Sequence, residues 1–167
     1  MIAPLALVIV VMGVAGSGKT TVGRMLAGEL GWTFRDADEF HPPANVEKMS
    51  HGIPLTDRDR EPWLAAIRAY IDETLSRGDS AVVTCSALKE RYRRTIVPDP
   101  ARVKLVHLAG DFTLIAERLR AREGHFMKPG MLSSQFDDLE LPRDALSVDV
   151  VPPPETIVAE IRTALSV

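Results

Sequence analysis

Cysteine is almost missing from this chain, with Cys85 its one thiol. That excludes an internal disulfide and a cysteine-built metal cluster and agrees with a reducing compartment, so a cytoplasmic location is expected. Basic excess is missing as well: 20 Lys and Arg stand against 23 Asp and Glu, a formal net charge of -3. Without a basic stripe, nucleic acid is not an expected partner. No apolar run is long enough to span a bilayer. The apolar stretch Ile2 to Met12 lacks the basic start of a signal peptide and leads directly into a glycine-rich loop, so no membrane partner is expected either. Repeats, low-complexity tracts and interdomain linkers are also absent, and the 167 residues read as one domain, 1–167.

What is present is organised around Gly13-Val14-Ala15-Gly16-Ser17-Gly18-Lys19-Thr20, which fits G-x-x-x-x-G-K-[ST] between an apolar run and a helical pattern. Glycines let such a loop turn its N–H groups inward, and the helix N-terminus adds its dipole, so a polyphosphate is cradled there. Lys19 is placed to reach the β- and γ-phosphates of ATP, and the Thr20 hydroxyl to bind the accompanying Mg²⁺. Gly13, Gly16, Ser17, Gly18, Lys19, Thr20 and Thr21 are the expected nucleotide-binding residues.

Along the chain, Leu5 to Met12 reads as a central parallel strand, being continuously apolar and β-branched. Val22, Met25, Leu26 and Leu30 recur at helical spacing, and Gly31 stops that helix. Trp32 to Phe34 is a short second strand running into Asp36-Ala37-Asp38. If the chain stays extended there, both carboxylates point the same way, roughly 6.6 Å apart at Cα, one toward a metal and one toward a substrate; otherwise they are loop carboxylates. Residues 41–49 read as a short helix stopped by Gly52. After a polar turn at 56–61, Pro62 is expected to start a helix with Trp63, Leu64, Ile67, Ile71 and Leu75 inward.

Ala81 to Thr84 is the third strand, with Cys85-Ser86-Ala87 at its C-terminal end, where ligands gather in open α/β sheets. Lys89, Arg91, Arg93 and Arg94 then form either a solvated basic face or an anion contact. Val103 to Leu108 is a fourth strand, read as less buried because of Lys104 and His107, with His107 taken as structural. In the next helix Phe112, Ile115 and Leu119 should face inward, and Arg118 and Arg122, four apart, should share a face. Residues 122–131, with glycines around a His/Lys-bearing stretch, read as a small lid or a surface loop. Met131 to Leu139 is a further helix, Ser147 to Val151 a fifth strand, and the last helix follows three prolines.

Five strands alternating with helices require an α/β fold, a five-stranded parallel sheet with helices on both faces and the site at the C-terminal strand ends. With the phosphate loop this is the three-layer P-loop kinase architecture. No hydrophobic run ending in Asp follows downstream, which disfavours motors and switches and points to a small-molecule kinase.

The blocks GVAGSGKT, DADEFHPPANVEKMSHGIPLTDRDREPWL, CSALKERYR and HLAGDFTLIAERLRAREGHFM, in this order, resemble the gluconokinase family from about Met12 to about Val151. The resemblance implies a fold like that of shikimate kinase and transfer of the ATP γ-phosphoryl group to the 6-hydroxyl of D-gluconate by a homodimer. It makes Lys19, Asp36 and Asp38 the catalytic group, with Thr20 and Asp36 at the metal. Asp38, His41, Lys48, Arg60, Lys89 and Arg93 would line the gluconate pocket, and Arg118 and Arg122 resemble lid arginines over the nucleotide. The alternatives are a shikimate-type or other small-molecule kinase, and a non-catalytic nucleotide-binding module.

Overall fold

A computed structural model describes residues 2–122 and 130–167. Most of the segment expected to form a lid, 123–129, lies outside the described residues. Among those described, the strands are β1 (Val8–Met12), β2 (Thr33–Asp36), β3 (Ala81–Thr84), β4 (Val103–Ala109) and β5 (Leu146–Asp149). The helices are α1 (Lys19–Leu30), α2 (Pro43–Ser50), α3 (Asp57–Ser76), α4 (Glu90–Ile96), α5 (Phe112–Ala121), α6 (Met131–Asp138) and α7 (Pro154–Leu165). The strands form one parallel sheet in the order β2-β3-β1-β4-β5.

β1 is central and wholly buried, which is why its sequence is apolar without alternation. Val8, Val10 and Met12 face a layer that includes Trp63, Leu64, Ile67 and Ile71 of α3 and Ile96 of α4. Ile9 and Val11 face Val22 and Leu26 of α1 and Ile157, Val158 and Ile161 of α7. Each such side chain contributes about 1.5–3 kcal/mol by leaving water. A third cluster, Val14, Leu88, Ile115, Leu119 and Leu132, supports the glycine-rich loop from beneath.

Three local expectations are corrected. Helix α3 starts at Asp57 rather than Pro62, because Thr56 and Asp59 form a reciprocal cap: the Thr56 Oγ1 accepts from Asp59 N at 3.1 Å and Asp59 Oδ2 accepts from Thr56 N at 2.9 Å. Pro62 sits inside the helix and forgoes one main-chain hydrogen bond. Extension does not continue through Asp36-Ala37-Asp38, since Asp36 Oδ1 accepts from Asp38 N at 2.9 Å and caps a 3₁₀ turn over Ala37–Phe40. Phe112 is 46% exposed, resting edge-on to Phe136, while Ile115 and Leu119 are buried as expected. β4 is less buried than β1, as expected, with Lys104, Leu105 and Ala109 half-buried, although it lies inside the sheet between β1 and β5; His107 on it is buried, and burial, then the nearby Arg93 charge, holds its imidazole below the usual range.

Candidate active site

The loop between β1 and α1 takes the shape its glycines permit. Gly16 has φ +79°, and a Cβ there would fall 2.6 Å from Leu119 Cγ, so both backbone angle and packing exclude a side chain. Gly18, φ 97°, caps α1 and delivers Lys19 and Thr20 as its first residues. Lys19 Nζ donates to Gly13 O at 2.9 Å and Val14 O at 3.0 Å. Burial holds this ammonium below the usual lysine range, with the Asp38 and Asp36 carboxylates opposing. Ala15 N donates to Gln135 Oε1 at 2.7 Å, tying the loop to α6.

A cavity of about 250 Å³ opens at the C-terminal ends of the strands, with Gly16, Gly18, Lys19 and Thr20 on one side and Asp36 and Asp38 on another. Thr84, Cys85 and Ser86 form its floor, and Arg122 and Gln135 complete the rim. Burial pushes the Cys85 thiol up to about 12, so it is neutral and not a nucleophile at ordinary pH. Asp38 is drawn above the usual carboxylate range by desolvation and then by Asp36, though its side chain is 86% exposed and water screens the effect.

His41 stands behind Asp38. Its ring stacks on Trp63 at 4.4 Å and 11°, and Trp63 Nε1 donates to Ala37 O at 2.7 Å, fixing the platform to the 3₁₀ turn. The Asn45 amide nitrogen donates to Asp59 O at 2.8 Å, which sets the amide orientation, and it also lies 3.3 Å from His41 Nδ1. Neutral His41 therefore carries its proton on Nε2, the nitrogen 4.0 Å from Asp38. Burial holds His41 below the usual imidazole range, with Asp38 opposing.

The remaining basic residues are distributed unevenly. Asp57 collects three donors, Tyr92 OH in a short hydrogen bond, Arg91 at 2.8 Å and Lys89 at 3.5 Å, and pairs in charge with Arg60 at 3.9 Å, whose Nη1 donates to Leu55 O. The Tyr92 hydrogen bond first, and the cations after it, hold Asp57 below the usual carboxylate range. Lys48 is paired with Asp59 at 2.9 Å. Arg93, 6% exposed, is turned away from the cavity and donates to Ala87 O, Leu88 O and Glu140 O at 2.7 to 2.9 Å. It thereby secures Ala87, whose φ of 45° is uncommon for a residue with a side chain. Arg118 donates to Val151 O at 3.5 Å, and Arg122, in extended conformation past the end of α5, leaves the helical face that spacing assigned it and reaches the cavity alone.

Magnesium fits this donor set. The described residues hold no group of three or more His, Cys, Asp or Glu suited to a metal, and Mg²⁺ paired with phosphates needs few protein ligands because it keeps water. The Thr20 hydroxyl and the Asp36 carboxylate share the cavity with Lys19. Gln135 and Asp57 were not singled out from the sequence: Gln135 lies outside the quoted blocks, Asp57 lies within one but drew no role, and only tertiary structure brings Gln135 to residue 15 and Tyr92 to residue 57.

Comparison with known proteins agrees with this geometry. A family model described as shikimate kinase matches residues 15–144. The gluconokinase of Gluconobacter oxydans strain 621H is 52% identical over 136 residues, 81% of this chain and 76% of that protein. The thermoresistant gluconokinase of Escherichia coli K12 is 42% identical over 154 residues, 90% and 88% of the two chains. The crystal structure of a gluconokinase from Sinorhizobium meliloti 1021 superposes with a TM-score of 0.85 at 44% identity, covering 97% of this chain and 93% of that one. With a phosphate loop, a carboxylate pair facing it and these relatives, the chain belongs to the gluconokinase family, within the wider group that the shikimate kinase model describes.

Proposed function

We propose that this protein transfers the γ-phosphoryl group of ATP to the 6-hydroxyl of D-gluconate. The observation that carries the reading is the Asp38 carboxylate, backed by His41, lining one cavity with Lys19 in a chain 52% identical to a gluconokinase. Phosphoryl transfer asks little covalent chemistry of a protein; it asks for alignment and for positive charge around the transferring oxygens. Loop amides and Lys19 would bind the β- and γ-phosphates, and Arg122 adds a cation at the rim. Thr20 and Asp36 would hold Mg²⁺, which when bound neutralises phosphate charge. Asp38 orients the attacking hydroxyl and accepts its proton, while His41, stacked on Trp63, limits where that carboxylate can turn.

Gluconate differs from glucose by its carboxylate, and the basic group around Arg60, Lys89 and Tyr92 already grips a carboxylate, that of Asp57. Arg60 and Lys89 are the proposed holders of the substrate anion. A coupled ADP-release assay with ATP and Mg²⁺ tests the reading across gluconate, shikimate and glucose. Turnover is expected with gluconate. A preference for shikimate would favour the shikimate-type alternative, which the family model's description keeps in view, and no acid-dependent ADP release would leave a nucleotide-binding module.

A further inference from the structure

Thr84 ends β3 in an otherwise apolar strand, Ala81-Val82-Val83-Thr84, in register with Val11 of β1 and Asp36 of β2. Its side chain is 2% exposed, and its Oγ1 has no hydrogen-bond partner among the described residues. The methyl group is committed to packing: Thr84 Cγ2 lies 2.7 Å from where a Cβ on Gly23 of α1 would stand, so only glycine there admits it. Valine would fill the same space without an unpaired polar atom, and burying a hydroxyl unbonded is unfavourable. Ser17 Oγ is unpaired too, but it does not line the cavity; Thr84 does, together with Thr20 and Asp36.

A buried hydroxyl that is unpartnered within the fold and borders a ligand cavity points to a partner that arrives with the ligand. Mg²⁺ dehydrates reluctantly and usually keeps several waters beside one or two protein ligands and the phosphate oxygens. Those waters donate hydrogen bonds, and the groups that accept them decide how firmly the ion is seated. We propose that Thr84 is a positioning residue for hydrated magnesium, its hydroxyl accepting a hydrogen bond from a water of the ion rather than binding the ion or the nucleotide itself. This rests on the reading of the cavity as an ATP and magnesium site, and it adds a third side chain, from a different strand, to Thr20 and Asp36.

The test is Thr84→Val, read by thermal unfolding without ligand and by calorimetric titration of ATP in EDTA and in excess Mg²⁺. Without ligand the variant should melt no lower than the wild type, because it loses an unpaired hydroxyl and keeps the volume. Binding of ATP in EDTA should be unchanged, while binding with Mg²⁺ weakens roughly three- to tenfold, the span of one hydrogen bond. Thr84→Ser, which keeps the hydroxyl, should restore the metal-dependent part. A lower melting temperature for Thr84→Val would mean that the hydroxyl is already bonded inside the fold and would overturn the proposal. Equal weakening with and without Mg²⁺, no weakening at all, or failure of Thr84→Ser to restore it would do the same. A wild type that binds ATP but gains nothing from Mg²⁺ refutes Thr84's role alone, whereas a wild type that binds no ATP in either condition refutes the nucleotide site itself.

Discussion

Lys19 rests on two carbonyls of its own loop, so its charge is already held where phosphate oxygens would replace those carbonyls as partners. Lys19→Ala should therefore lower kcat by about 10²–10³, the usual loss for one preorganised charged donor, with the melting temperature little changed. More than a tenth of wild-type turnover at saturating ATP would show the lysine to be dispensable. The two carboxylates should separate under magnesium titration: excess Mg²⁺ is expected to rescue Asp36→Asn and not Asp38→Asn, because only the first is assigned to the ion. Identical responses would make them one coupled pair. Arg60→Ala and Lys89→Ala should each raise the gluconate KM roughly ten- to a hundredfold, as loss of a hydrogen bond to a charged group costs about 1.5–3 kcal/mol. ATP binding should stay as it was, and an unchanged gluconate KM would reduce either residue to a partner of Asp57.

At the level of elements, α3 depends on how it begins. Thr56 and Asp59 satisfy each other's main-chain amides, and Asp59 also receives Lys48 from α2, so one carboxylate starts α3 and docks α2 on it. Thr56→Ala should cost about 1 kcal/mol in chemical denaturation, within the 0.5–2 kcal/mol seen for lost caps. The bond to the Thr56 amide first, then that to Lys48, holds the Asp59 carboxyl at about 2 against an ordinary 3.8. A depressed carboxylate adds stability that is fully present above its unfolded value and disappears as pH falls through its folded one. The stability difference between wild type and Asp59→Asn should accordingly shrink between pH 3.8 and about 2. A difference that stays constant over that window would show that the charge of Asp59 contributes nothing.

For the molecule as a whole, the sheet was legible because β1 carries no polar residue and the loop after it obeys a fixed spacing; period and motif are properties of neighbouring residues. The nucleotide half of the site followed from the same stretch, and Asp36 and Asp38 do meet at one cavity with Lys19. What local pattern could not supply was any relation closed over long separations. The start of α3 is a different case, a local relation between Thr56 and Asp59 three residues on that the proline at 62 obscured. Arg93 looks like its neighbours Arg91 and Arg94, yet it alone is buried, spent on three carbonyls. Arg118 and Arg122 share a face only in a helix that continues, and α5 stops between them.

The tether from Gln135 to Ala15 makes the order of the phosphate loop a long-distance matter. Ala15 belongs to a turn formed within a few residues, yet its amide hydrogen is shielded by a side chain 120 positions downstream. Its exchange with solvent deuterium should thus keep time with the opening of α6 rather than of α1. A protease cut or a destabilising substitution near Met131 to Asp138 would register first as a freed amide in the loop, far from the site of injury along the chain and adjacent to it in space.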